Sequence, residues 1–244
     1  MKENKISAEK KISVSELLNK IVPFLGLAIM IVVFQYFGEG KLLMQANIKS
    51  ILNQSVYVAI MAFGAIFVYS HGGMDLSYGS VIGFSVLCGV LVGRVGAPLS
   101  IVIMANVLSA VVWFVFNGFV SIYLKVSPFI TSLCIMYMCR GILNTVCAKE
   151  KYSVPVYIYD YDNWTIKISL LIVTFVICYF LFEKSWIGKA NKAIGGNSMA
   201  ARQAGVNVEM TRMIAYLISG ITVGIGGFFF IGPGRSGSIF SRAG

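Results

Sequence analysis

The chain has 244 residues, of which 57% are hydrophobic and only 12% charged, and it carries a net charge of +10. That charged share is about half of a soluble domain's, and a soluble fold of this size could bury such an apolar content but could not cover it, so membrane spans are the reading that remains. The positive excess sits between the apolar runs, where it follows loop topology; no basic face can be drawn for a nucleic acid, and none is expected as a partner.

Residues 1–20 set Lys2, Lys5, Lys10, Lys11 and Lys20 against Glu3, Glu9 and Glu16 and read as a cytoplasmic tail. No small-residue cleavage site follows the first apolar run, which argues against a signal peptide. The remainder, 21–244, reads as one all-α polytopic transmembrane bundle with seven apolar segments, at about 21–37, 54–70, 78–93, 99–121, 128–147, 166–183 and 209–232. With the tail inside, the loop 148–165 falls outside and the loop 184–208 inside. The inner loop and the start of the next span then carry Lys184, Lys189, Lys192, Arg202 and Arg212, as the positive-inside rule asks, while Lys41, Lys49, Arg94, Lys149, Lys151 and Lys167 fall outside. The outer loop is rich in tyrosine and ends on Trp164, which suits an interfacial belt. Small residues recur at helical spacing: Gly79 and Gly83; Gly89 and Gly93; Ala215, Ser219, Val223 and Gly227 on one face of the last span, with Gly220 and Gly224 on a neighbouring one. Such stripes let helix backbones approach closely in lipid.

The five cysteines, Cys88, Cys134, Cys139, Cys147 and Cys178, lie in or beside apolar segments without a CxxC pair. They read as small packing residues rather than as disulfide or metal positions. His71 is the sole histidine, so no histidine-based metal cluster and no cofactor is expected. The chain has no GxxxxGK[ST] phosphate loop, no HExxH and no paired intramembrane aspartates, so it reads as neither a nucleotide-binding protein nor an enzyme.

Three polar interruptions stand out. In "HGGMDLSYGS", residues 71–80, Gly72 and Gly73 end one helix and Asp75 is placed to cap the next. The stretch reads either as a broken helix lining a transport path or as a tight cytoplasmic turn; Gly73, Asp75 and Ser77, together with Asn117, are its candidate path residues. In residues 127–141, Pro128 and Phe129 open a span that carries Arg140 about 18 Å further along, and these three are further candidates for the path or a structural motif. The charge of Arg140 is costly in lipid, so it faces either the bundle interior or, by snorkelling, the outer interface.

The third interruption is "AIGGNSMAARQAGV", residues 193–206. Gly195 and Gly196 break the preceding structure, Asn197 or Ser198 caps a short helix at 199–204, and Gly205 sits where a left-handed C-cap belongs. About two turns do not persist alone. Ala200, Ala201 and Ala204 offer a smooth face beside Arg202, so the segment is either a coupling helix received by a partner or a loop helix resting on its own bundle.

Together the three stretches resemble the permease subunits of bacterial ABC sugar importers of the ribose type, within a wider group that includes branched-chain amino acid permeases. The matching residues are Gly72-Gly73-Met74-Asp75-Leu76-Ser77-Tyr78-Gly79, Pro128-Phe129-Ile130 with Arg140-Gly141, and Ala193 to Asn197 with Ala200 to Arg202 and Gly205. The pattern departs at Met74, Tyr78 and Lys192. The resemblance implies a sugar-transporting subunit of the bacterial cell membrane, partnered by a cytosolic ABC ATPase, a second permease subunit and an extracellular sugar-binding protein. It assigns Gly195, Gly196, Asn197, Ala200, Ala201, Arg202, Ala204 and Gly205 to ATPase coupling. It also implies further spans beyond Gly244, so that the chain reads as the N-terminal part of such a permease. An amino-acid or nucleoside permease, or a non-transporting membrane fragment, are the alternatives.

Overall fold

The computed structural model describes residues 14–149, 152, 155–159 and 163–230. The tail up to residue 13, much of the 148–165 loop and everything after 230 lie outside the described residues, together with the expectations placed on them.

Among the described residues the chain is helical throughout. In order the helices are α1 (Val14–Phe37), α2 (Gln45–Ser70), α3 (Tyr78–Arg94), α4 (Leu99–Tyr123), α5 (Pro128–Lys149), α6 (Val156–Tyr159), α7 (Trp164–Tyr179), α8 (Trp186–Gly196), α9 (Ser198–Gln203) and α10 (Val208–Phe230). Five stretches are long and apolar enough to cross a membrane: α2, α4, residues 128–148 of α5, Trp164–Lys184 and α10. Ile21–Phe37 and α3 are shorter apolar helices. These are the seven segments expected.

Residues up to Ile51 form one compact unit and those from Leu52 a second. In the first, α1 closes on a turn in which Gln35 donates to the Gly40 carbonyl at 3.1 Å and accepts from the Leu43 N–H at 3.1 Å. α2 starts at Gln45 rather than near 54, because its first residues hold neither glycine nor proline to stop a helix; their polarity hides them from a hydropathy reading.

The second unit is built around α10. Ala215, Ser219, Val223 and Gly227 are buried, as their spacing predicts, and so are Gly220 and Gly224. On α4, the position of a Cβ on Gly220 would lie 2.7 Å from Val111 Cα, and one on Gly224 would run into Val107 Cα. α2 approaches α10 through Gly64, where an added Cβ would collide with Thr222 and lie 3.1 Å from Ser219 Cα; Ser219 Oγ donates to the Gly64 carbonyl at 2.9 Å. Gly79, by contrast, has nothing near it and marks no contact.

After α7 the chain widens into one π-helical turn, Phe180–Lys184, and Ser185 starts α8 by accepting from the Ile187 N–H at 3.2 Å. α8 folds back so closely that a Cβ on Gly188 would meet the Phe182 backbone. This helix is not legible in the sequence. The three glycines in "WIGKANKAIGG" weigh against a helix, and the face buried by Gly188, Ala190, Asn191 and Ile194 offsets them. Of the tyrosines in 148–165, Tyr157 donates to the Ala97 carbonyl at 2.8 Å, tying α6 to the α3–α4 turn.

Candidate functional site

α2 ends in a Schellman closure. The Gly73 N–H reaches the Val68 carbonyl at 3.1 Å and the Gly72 N–H the Tyr69 carbonyl at 3.0 Å, with Gly72 at φ +84°, the left-handed conformation such an end requires. The break expected at 71–77 is present, and Asp75 at its centre is 1% exposed. Its Oδ1 accepts from the Ser77 N–H and from Ser77 Oγ, both at 2.7 Å, and its Oδ2 accepts from Asn117 Nδ2 on α4 at 2.7 Å. The carboxylate therefore turns back on Ser77 and onto α4 and does not cap the first turn of α3, as its position suggested. Burial pushes its carboxyl up, while the donors from Ser77 and Asn117 oppose that shift.

Neighbouring polar groups complete the layer. Tyr69 donates to the Asp75 carbonyl at 2.8 Å, Ser132 Oγ on α5 accepts from the Leu76 N–H at 3.2 Å, and Tyr78 donates to Ser219 Oγ at 3.1 Å. Of the candidate path residues, Gly73, Asp75, Ser77 and Asn117 thus share one site. Pro128 is the first residue of α5 and sets the start of the helix that brings in Ser132, whereas Phe129 is 42% exposed. Of the two settings left open for Arg140, this chain shows the exposed one. Its Nε donates to Ser80 Oγ at 3.1 Å, not to Asp75. The long guanidinium stem lets it reach a hydroxyl on α3 from the helix surface.

The 193–206 stretch has the predicted caps in a different setting. Gly195 and Gly196 form the last turn of α8 and do not break it. Asn197 Oδ1 accepts from the N–H groups of Met199 and Ala200, each at 3.0 Å, and starts α9. Gly205, at φ +86°, closes α9 by a second Schellman pair, Gly205 N–H to Arg202 and Val206 N–H to Ala201, each at 3.0 Å. Asn207 then caps α10 through the Met210 N–H at 3.0 Å. The alanine face is divided: Ala201 is 5% exposed and packs with Ile194, Val206 and Val208, while Ala200 and Ala204 are open to solvent. Arg202 is exposed and pairs with Glu209. Met199, at 66% exposure, is the large apolar group α9 presents outward.

The two interruptions meet. A Cβ on Gly195 would fall inside the contact distance of the Ser70 carbonyl oxygen and 3.5 Å from His71 Cα, so the end of α8 rests backbone-on-backbone against the end of α2. His71 is buried beside it, its ring centroid 6.0 Å from that of Tyr216. Burial, with the charge of Arg212 nearby, holds this imidazole down at about 4, which keeps it neutral near pH 7. The sequence alone offers His71 only as a metal ligand and points to no site role for Tyr216, Ser132 or Lys167. The last is 2% exposed, donates to Asn53 Oδ1 at 2.7 Å and lies 5.6 Å from the Trp164 ring. A lysine one turn from a tryptophan at a span end was the available signal there.

The chain matches the family described as branched-chain amino acid transport system / permease component over residues 47–238. It belongs to that family. As a permease of this family it is a multi-pass membrane protein, and the resemblance carried by the three motifs is borne out. Curated relatives include a ribose import permease protein of Bacillus subtilis, 28% identical over 238 residues covering 93% of this chain and 73% of the relative. A galactofuranose transporter permease protein of Escherichia coli is 29% identical, covering 72% of this chain and 54% of the relative. A galactose/methyl galactoside import permease protein of Escherichia coli is 28% identical, covering 85% and 69%. The permease chain thus spans between about half and three quarters of the length of these relatives. No solved structure matches it.

Proposed function

We propose that this permease is a membrane-spanning subunit of an ATP-driven importer of a simple sugar of the ribose type. In this reading it lines the translocation path and couples to a cytosolic ABC ATPase, alongside a second permease subunit and an extracellular sugar-binding protein. The relatives named as ribose, galactofuranose and galactose permeases support the substrate class. The observation that carries the coupling assignment is α9: six residues, capped at both ends, held to its own chain by the burial of Ala201 and the Arg202–Glu209 pair, with Met199 and Ala200 open. A segment so short persists only when docked, and its open side is free for a partner.

In the complex with its ATPase, Met199→Glu should cut ATPase co-purification at least tenfold without changing membrane insertion. Undiminished co-purification together with sugar-stimulated hydrolysis would sink the assignment. Ala201 is unsuited to this test, since a bulky group there disrupts the packing with Ile194, Val206 and Val208. The family description favours one second reading, an amino-acid importer; uptake of labelled leucine in place of labelled ribose would establish it.

The topology proposed is N-terminus and loop 184–208 in the cytoplasm and loop 148–165 outside, from span parity and the basic inner loop. An impermeant maleimide should label Lys192→Cys in inverted vesicles and not in intact cells. Labelling from outside reverses the orientation.

A further inference from the structure

We infer that Gly195, Ser70 and His71 form the joint through which movement of the 197–205 segment reaches the Asp75 site. The inference rests on the coupling reading above and adds the route. α8 and α9 are tied into one piece by the packing of Ile194 on α8 with Ala201 on α9 and with Val206 and Val208 beyond it. That piece meets α2 at Gly195, where no side chain separates the α8 backbone from the Ser70 carbonyl.

From there the contacts are close and rigid. His71, 5% exposed, follows Ser70 directly and packs its ring toward Tyr216, which is 1% exposed. The Tyr216 ring lies flush on α4, with Cδ2 2.9 Å from where a Cβ on Gly118 would be. Gly118 is next to Asn117, whose amide holds Asp75 Oδ2 at 2.7 Å. The links are backbone on backbone, ring against ring and ring on glycine, closed by the Asn117–Asp75 hydrogen bond. Close-packed groups of this kind transmit displacement instead of absorbing it in side-chain rotation. Two elements set apart by the sequence, the coupling stretch and the Asp75 break, therefore have a contiguous physical connection of the kind that can carry coupling between them.

The test uses the permease–ATPase complex reconstituted in lipid vesicles with its sugar-binding protein, and reads sugar moved per ATP hydrolysed, a ratio that a loss of protein or of overall rate does not change. Gly195→Ala forces α8 off Ser70 and should lower this ratio at least tenfold while ATPase co-purification persists. Should Gly195→Ala yield no folded complex, His71→Ala, which removes atoms from the same joint, must lower the ratio as well. An unchanged ratio in the folded variant, or a loss of ATPase binding in its place, overturns the joint. The two readings separate cleanly. If Met199→Glu displaces the ATPase but Gly195→Ala transports normally per ATP, the joint falls and the coupling site stands. If Met199→Glu leaves the ATPase bound, the coupling site itself falls.

Discussion

Gly224→Leu should reduce the yield of folded, monodisperse permease extracted from the membrane at least tenfold. The Cβ position on Gly224 runs into Val107 Cα on α4, with the Asn106 carbonyl oxygen and the Val107 nitrogen each 3.0 Å away. One turn earlier, Gly220 stands against Val111 in the same manner. The obstructing atoms are backbone and cannot turn to another rotamer. Overpacking a core costs about 1–3 kcal/mol where neighbours adjust, and here adjustment means separating two helices. In lipid no water expulsion drives them back together, so van der Waals contact along this seam is the main source of their association. Gly224→Ala should be intermediate, and Gly79→Ala, whose Cβ enters open space, should match the parent. Parent-like yield and thermal transition for Gly224→Leu would show that α4 and α10 are not held by this seam.

Asp75→Ala should destabilise the permease and abolish uptake, whereas Asp75→Asn should retain most of its stability. Removing the carboxylate strands the Ser77 N–H, the Ser77 hydroxyl and the Asn117 amide, all of them buried. An orphaned buried donor costs about 1–3 kcal/mol, so a loss of several is a large fraction of the total stability of a domain. An asparagine at 75 keeps an acceptor for Ser77. Its own amide nitrogen would face Asn117, and Asn117 can answer by turning over, since its Oδ1 has no partner and an amide flip presents that oxygen. Thermal unfolding in detergent of the two variants checks the ordering. Equal losses would mean that the negative charge, and not the hydrogen-bond geometry, holds the break together.

The seven apolar segments were legible because hydropathy alone marks a span. The caps at Asn197 and Gly205 were legible because capping is local chemistry, decided within a few residues. Other features depend on what the chain meets in space. The partner of Asp75 is Asn117, 42 residues away, and that of Arg140 is Ser80, 60 residues away. α8 escaped notice because its helicity comes from a buried face and not from its residues' propensities. Which of Ala200, Ala201 and Ala204 faces the protein is set by how Ile194 and Val208 lie: Ala201 turns inward, while Ala200 and Ala204 stay exposed. His71 and Tyr216 carried no spacing that would announce a shared pocket.

The helix contacts made through glycine invert the usual hierarchy of mutational tolerance. At Gly64, Gly188, Gly195 and Gly224 the interaction consists of atoms that are missing, because each added Cβ would strike a neighbour. Truncation scanning, which removes side chains and watches for loss, is blind to these positions. In a saturation library they would appear as sites where even alanine is rejected, while many large lipid-facing residues accept almost any apolar replacement. Ranking the positions of this protein by side-chain size or hydrophobicity would therefore place its most constrained residues last.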